Sequence, residues 1–393
     1  MFDFDPYSYE FHDDPFPMYR RLRDEAPAYR HDRLGFWALS RYDDVLGALH
    51  DPATYCSRHG ITLEPRPPLP MLLTTDPPEH TGMRRVVSRA FTPRRVADLE
   101  PTVAALSTRY IDTFVEAGSA DLIGDYAAKL PMDVISRMLG VPAGDDDMLR
   151  GWTNALLERA EGVPDVTPAG IEAFGRLHHY FTDHVARLRR SPGDDLASAL
   201  TTAEADGERL SDLELVGFCF LLIIAGNETT TKLLGNCLYA LQRFPDQKRR
   251  ILAHPSRIPD AVEETLRFDG STQVMARTLT RDVELHGQHM HEGDKILLLL
   301  GSANRDDRAF DAPDLFDIDR GRDGLHVGFG HGIHACLGAA LARLEMRVSL
   351  EALLRRIPDY EIDATRLARV HSGTVRGYSQ MPMTFTPNRR EAV

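Results

Sequence analysis

Cysteine, tryptophan and positive charge are scarce in this chain, and each shortage removes a class of explanation. Of 393 residues only four are cysteines, Cys56, Cys219, Cys237 and Cys336. They form no paired spacing, which argues against a disulfide framework or a cysteine-rich zinc site and leaves each thiol to be explained singly. The 46 Lys and Arg are outnumbered by 59 Asp and Glu, for a net charge of −13 at pH 7. Polyanion binding by the whole surface is therefore disfavoured, and no basic module for nucleic acid stands out. No segment approaches the ~20 consecutive apolar residues of a membrane span. The acidic, aromatic start "MFDFDPYSYE" lacks the basic region and apolar stretch of a signal peptide. The expectation is a cytoplasmic protein that makes no use of a membrane. No Gly/Ser linker or internal repeat divides the chain, so composition leaves the domain count open.

What is present is mostly helical periodicity. Phe16 to Asp24 and Arg41 to Leu49 carry helical apolar spacing, with the strand candidate "GFWALS" between them. From about Asp51 to Thr75 the pattern dissolves into a long loop containing "EPRPPLPMLL", of the kind usually kept for binding. A helix start follows at "DPPEHTGMRR", where Asp76 can cap, Pro77 suits the first helical position and Glu79 completes a capping box. Helical segments run on to about Arg190, with a break near "GVPDVTPAG". Strand signals gather in "VMARTLTRDVEL", "KILLLL" and "TVRGYSQMPMTF". The fold class is mainly α with a small β region, α+β.

The segment after Leu210 predicts one long helix, opened by a capping box of Ser211 and Glu214 and stopped before Pro245, roughly 32 residues in all. At 1.5 Å per residue it spans ~48 Å, enough to cross the molecule. Its run "GFCFLLIIAG" is apolar all round, as a helix buried on every side should be. Glu228, Thr229 and Thr230 follow at once, where a carboxylate is costly without a partner or a purpose. Either the helix emerges into solvent, with Thr229 bonding back to the Ala225 carbonyl, or these groups serve a ligand. Ala225, Glu228 and Thr229 share one face, and Gly226 would allow a distorted turn there.

The stretch "FGHGIHACLG" sets Cys336 among glycines, just ahead of a helix. A buried structural cysteine would need no such glycines. A nucleophile would need His331 or His334 as base, yet no acyl-transfer signature accompanies them. For zinc, Cys336 and His334 are too few. A haem thiolate needs one cysteine only, with glycines that let backbone lie against a flat macrocycle and a helix whose positive end favours the thiolate.

At these residues the sequence resembles the cytochrome P-450 haem-thiolate monooxygenases of the soluble bacterial class, over nearly the whole chain. "FGHGIHACLG" matches the family's F-G-x-G-x-H-x-C-x-G loop, "AGNETT" its oxygen-activating helix, with Glu228 where many relatives carry aspartate, and "ETLR", Glu264 to Arg267, its E-x-x-R. "FDIDR" resembles the stretch that supplies Arg320 as third partner to Glu264 and Arg267. The resemblance implies a single domain over residues 1–393, with a larger helical lobe, a smaller β-rich lobe and a long central helix over the haem. It implies haem b ligated by Cys336, against Ala225, Phe329, Gly330 and Gly338, with propionates held by His80, Arg84, Arg277 and His334. His80 and Arg84, at i and i+4, could both face one carboxylate, and strand alternation could turn Arg277 inward. Thr229 and Glu228 would manage protons. The substrate pocket would be lined by Met71, Leu72, Leu73, Leu221, Ile224, Ala225, Gln273, Val274 and Tyr378. The implied reaction is insertion of one atom of dioxygen into a lipophilic small molecule, in secondary metabolism or catabolism. A monomer would take electrons from a ferredoxin and its reductase, docking on a patch of Arg85, Arg89 and Arg343. The alternatives are a peroxygenase or non-oxidative relative and, remotely, a helical hydrolase with nucleophilic Cys336.

Overall fold

The computed structural model describes residues 3–64, 69–205, 207–320 and 326–391. The middle of the proline-rich loop, residues 65–68, lies outside them. The long helix Asp212–Arg243 organises the rest. Its capping box forms: the Glu214 N–H donates to the Ser211 hydroxyl, while the Ser211 N–H donates to the Glu214 carboxylate. Helices Leu130–Leu139, Pro168–Arg190, Ile258–Phe268 and Ala339–Arg356 pack around it, which is why it is apolar on every side. Among the described residues it is the one helix long and apolar enough to cross a membrane, and most of that stretch is buried in the core.

The strands gather chiefly in a five-stranded sheet ordered Ala28–His31, Phe36–Leu39, Lys295–Leu299, Val274–Leu279, Tyr55–Cys56. Phe36–Leu39 runs parallel to Lys295–Leu299 and the other neighbours are antiparallel. Register sets Arg277 opposite Ile296 and turns the arginine inward. A second sheet joins Ser119–Asp121, Pro382–Thr384 and Glu361–Ile362.

Two local expectations are corrected. Asp76 does not cap the helix of His80, which opens at Glu79 with Pro78 before it and no side-chain cap. Pro78 offers no N–H, and the Asp76 carboxylate is not free to accept from Glu79. That carboxylate instead accepts from the Ser57 N–H at 2.8 Å and from the Arg58 backbone and guanidinium, tying the preceding loop to the helix. The distorted turn expected near Gly226 is absent too. The long helix is continuous there, with the Thr229 hydroxyl bonding back to the Ala225 carbonyl at 2.7 Å.

Candidate active site

The cysteine loop is built by two left-handed glycines. Gly330 and Gly332 have φ of 64° and 67°, which L side chains rarely adopt, and a Cβ on Gly332 would meet the Leu49 carbonyl oxygen at 2.4 Å. The chain turns through Gly332–His334, and the Cys336 N–H closes the loop on the Phe329 carbonyl at 2.8 Å. Gly338 then caps helix Ala339–Arg356, so the sulfur stands at a helix N-terminus with the Gly338 N–H directed to it. Burial pushes the thiol up, opposed by that N–H and by Arg84 and Arg343.

The sulfur faces a cavity, open to solvent, that is walled by the long helix, the helix of Arg84, the helix after Cys336 and the cysteine loop. Its walls are mostly apolar, and the polar groups include a cluster of cationic and imidazole side chains. Arg277 is 4% exposed, and among the described residues its guanidinium donates to the Ala276 carbonyl alone. Arg84 donates to the Ala335 carbonyl at 2.6 Å. Behind them the rings of His80 and His334 meet edge-on at 4.4 Å; both nitrogens of His80 and Nε2 of His334 are buried without a hydrogen-bond partner. The nearby Asp76 carboxylate is already engaged by Ser57 and Arg58. Burial lowers Arg277 to about 10; burial, then Arg277 and His80, lower His334 to about 3. Among the described residues these four donors converge with no free anion beside them, an arrangement costly in itself and suited to a ligand carrying carboxylates.

Across the cavity the long helix presents Leu221, Ala225, Thr229 and Thr230. Glu228 points elsewhere: it is 6% exposed, accepts from Asn227 at 3.2 Å and pairs with Lys232 at 3.2 Å. Glu345, which the sequence reading missed, does reach the cavity. It is 2% exposed, hydrogen-bonded to Thr230, and burial raises its carboxyl to about 8. The available signal was a lone carboxylate on the apolar face of Leu341, Leu344 and Val348 in the helix after Cys336.

Leu72, Leu73, Phe329, Gly330 and Gly338 also line the cavity. Met71, Ile224, Gln273, Val274 and Tyr378 do not line it. Met71 packs on Gly217, and Ile224, half-buried on the long helix, packs against the main core. Gln273 accepts from the Tyr19 hydroxyl and donates to the Gly270 carbonyl, while Val274 joins a separate core with Phe4 and Leu22. Tyr378 is fully buried beneath the Arg369 guanidinium. These strand-end residues were placed by family position alone, and side-chain alternation carries them to the far side. Glu264 receives two bonds from Arg267, at 2.8 and 2.6 Å, and Arg320 at 3.4 Å. Arg267 also donates to the carbonyls of Asn304, Pro313 and Leu315, bracing the segment that leads to the cysteine loop.

A protein of Mycobacterium tuberculosis named cytochrome P450 123 is 48% identical to this chain, over 97% of it and 96% of that protein. The chain belongs to the cytochrome P450 family. The family model "Cytochrome P450" matches residues 258–358, from the helix of Glu264 through the helix after Cys336. The vitamin D(3) 25-hydroxylase of Pseudonocardia autotrophica is 39% identical, covering 98% of this chain and 96% of that one. Among solved structures, CYP109E1 from Bacillus megaterium in complex with testosterone has a TM-score of 0.90 at 30% identity, covering 96% of this chain and 99% of that one. The chain is therefore a P450-family monooxygenase, and the family implies a haem-thiolate cofactor. The residues present fit one, since a single cysteine sulfur stands at a helix N-terminus beside two guanidinium groups and the unpartnered imidazole nitrogens of His80 and His334.

Proposed function

We propose that this P450 hydroxylates or epoxidises a lipophilic small molecule of about steroid size, using haem b held by the Cys336 thiolate. The observation that carries the reading is the Cys336 sulfur facing a largely apolar cavity beside cations that lack an anion. Arg84, Arg277, His80 and His334 would hold the haem carboxylates, and Phe329, Gly330, Gly338 and Ala225 would leave room for its plane. When bound, the haem supplies oxygen activation, with thiolate donation favouring O–O cleavage.

The chain's own residues do the rest. Leu72, Leu73 and Leu221 form an apolar wall that orients a substrate and excludes water. Thr229 presents a hydroxyl that can leave the Ala225 carbonyl and hand over a proton. Glu228 can resupply it only when its buried pair with Lys232 opens. Glu345 holds a proton at its carboxyl near neutral pH and reaches the cavity through Thr230, so two acid and alcohol pairs serve one site. The size of the substrate is suggested by relatives: one named for vitamin D3, another crystallised with testosterone.

Electrons would come from a small acidic ferredoxin. Within the expected docking patch, Arg343 is bound through two nitrogens to Glu263, at 2.6 and 2.9 Å, and so also supports the cysteine helix, while Arg89 donates to the Glu204 carbonyl. The experiment for substrate class is a titration of the ferric protein with steroids, secosteroids and terpenoids, followed by turnover with a ferredoxin system. Saturable spin-state shifts and a product heavier by one oxygen are expected for at least one class. Absence of both across the panel would overturn the reading.

A further inference from the structure

The ribbon of Val283–Leu285 and Gln288–Met290 closes through His286 and Gly287, whose φ of 52° and 71° give a two-residue turn of the tight hairpin type. Its register pairs Val283 with Met290, Glu284 with His289 and Leu285 with Gln288. Extended by one position, that register sets Asp282 opposite His291. Side chains alternate along a strand, so Asp282, Glu284, His289 and His291 share one face of the ribbon. The other face carries Val283, Leu285 and the buried Met290, which pack into the core cluster of Trp37 and Tyr42. The His and carboxylate face therefore looks outward, and all four of its side chains are exposed.

The spacing on that face is close to that of a coordination shell. His289 Nε2 lies 3.4 Å and His291 Nδ1 3.6 Å from the same oxygen, Oδ2 of Asp282. All three atoms fall within 4.8 Å of one another. Ligands bound to zinc at ~2.0–2.1 Å sit ~3.3 Å apart around a tetrahedron, so a small rotation of the two exposed rings would complete the set. The carboxylate is already oriented: its Oδ1 accepts the Glu292 N–H at 2.8 Å, which leaves Oδ2 to the imidazoles. The ribbon's tip is fixed as well, through His286 to Asp44 at 2.7 Å.

We propose that Asp282, His289 and His291 form a binding site for a divalent transition metal, zinc in the first instance, with Glu284 or water in the fourth position. Two imidazoles select borderline metals over calcium or magnesium, which prefer all-oxygen shells. None of these residues lines the cavity of Cys336, so the site is independent of the oxygenation chemistry. The ion would clip the open end of a two-stranded ribbon, where pairing is weakest.

The test is calorimetric titration of zinc sulfate into the full chain as purified, with any affinity tag removed. One zinc per chain is expected. Affinity should fall at least ~10-fold in Asp282→Asn, and the His289→Ala/His291→Ala double variant should show no saturable heat. Retention of the haem absorbance in both variants checks that they are folded. No saturable binding to the parent protein, or unchanged stoichiometry and affinity in the double variant, would overturn the assignment.

Discussion

Thr229 and Glu345 show how little of a residue's role lies in its type. A threonine in mid-helix that bonds back to the i−4 carbonyl is ordinary, and Thr229 does so. What sets it apart is its place on the wall of the cavity that holds Cys336. Thr229→Ala is expected to bind ligand and consume reductant normally while releasing more peroxide per product, measured as the ratio of product to reductant consumed. Unchanged coupling would move the role to Thr230 and Glu345. Glu345 also carries a stability signature. Burial raises its folded-state carboxyl to about 8, above the ~4.3 of an exposed glutamate. Between those values the folded state binds more protons than the unfolded one, so stability falls as pH rises through the window. Glu345→Gln removes that slope: it should melt higher than the parent protein at pH 8.5, by an amount on the order of 1–4 kcal/mol, with the gap closing toward pH 4.5. Thermal melts of both proteins across that range check the sign. Cys336 and His334 were singled out in the sequence by their loop motif, and Arg84 and Arg277 by the resemblance; all four line the cavity. Glu345 was not singled out, because whether a lone helical carboxylate is buried depends on what packs over it.

Elements were readable where their signals were local. The long helix carried its own capping box, apolar run and stop, and its bounds follow from them. Strand Ala28–His31 gave no alternation to detect, since only its two ends are buried, and it forms because Phe36–Leu39 offers a partner edge. The helix of His80 looked capped by Asp76, but the carboxylate found donors in a loop some 18 residues earlier in the chain, a contact no local pattern announces. The cysteine loop is the element most exposed to backbone error. Gly332→Ala would put a side chain on a left-handed residue and drive its Cβ against the Leu49 carbonyl oxygen. A loss of ~1–3 kcal/mol is expected from the backbone alone, together with reduced haem content per chain. Haem-to-protein ratio and melting temperature read both effects, and a variant with full haem and parent stability would show that the loop tolerates another course.

On the scale of the whole molecule, the chain's charge and its buried ion pairs set separate constraints. With a net charge of −13, approach of an acidic electron donor depends on a local patch of opposite sign. Ferredoxin-driven reduction should slow as salt shortens the ~8 Å screening length, and slow further in Arg85→Glu, while substrate binding stays unchanged. A salt-independent rate would remove electrostatic docking from the account. The pair of Glu264 and Arg267 works differently, from the interior. Glu264→Gln leaves the Arg267 charge buried without its partner, at a cost of ~3–5 kcal/mol, and should lower melting temperature and haem loading together without altering the substrate profile of what remains folded. The central claim is that one thiolate, Cys336, holds a haem in the cavity beneath the long helix. The measurement that bears on it most directly is the reduced carbon monoxide difference spectrum of the parent protein beside Cys336→Ser. A thiolate-type absorbance band is expected in the parent, and its loss, with loss of oxygenation, in the variant. A parent protein without the band, or a serine variant that keeps both band and turnover, would contradict it.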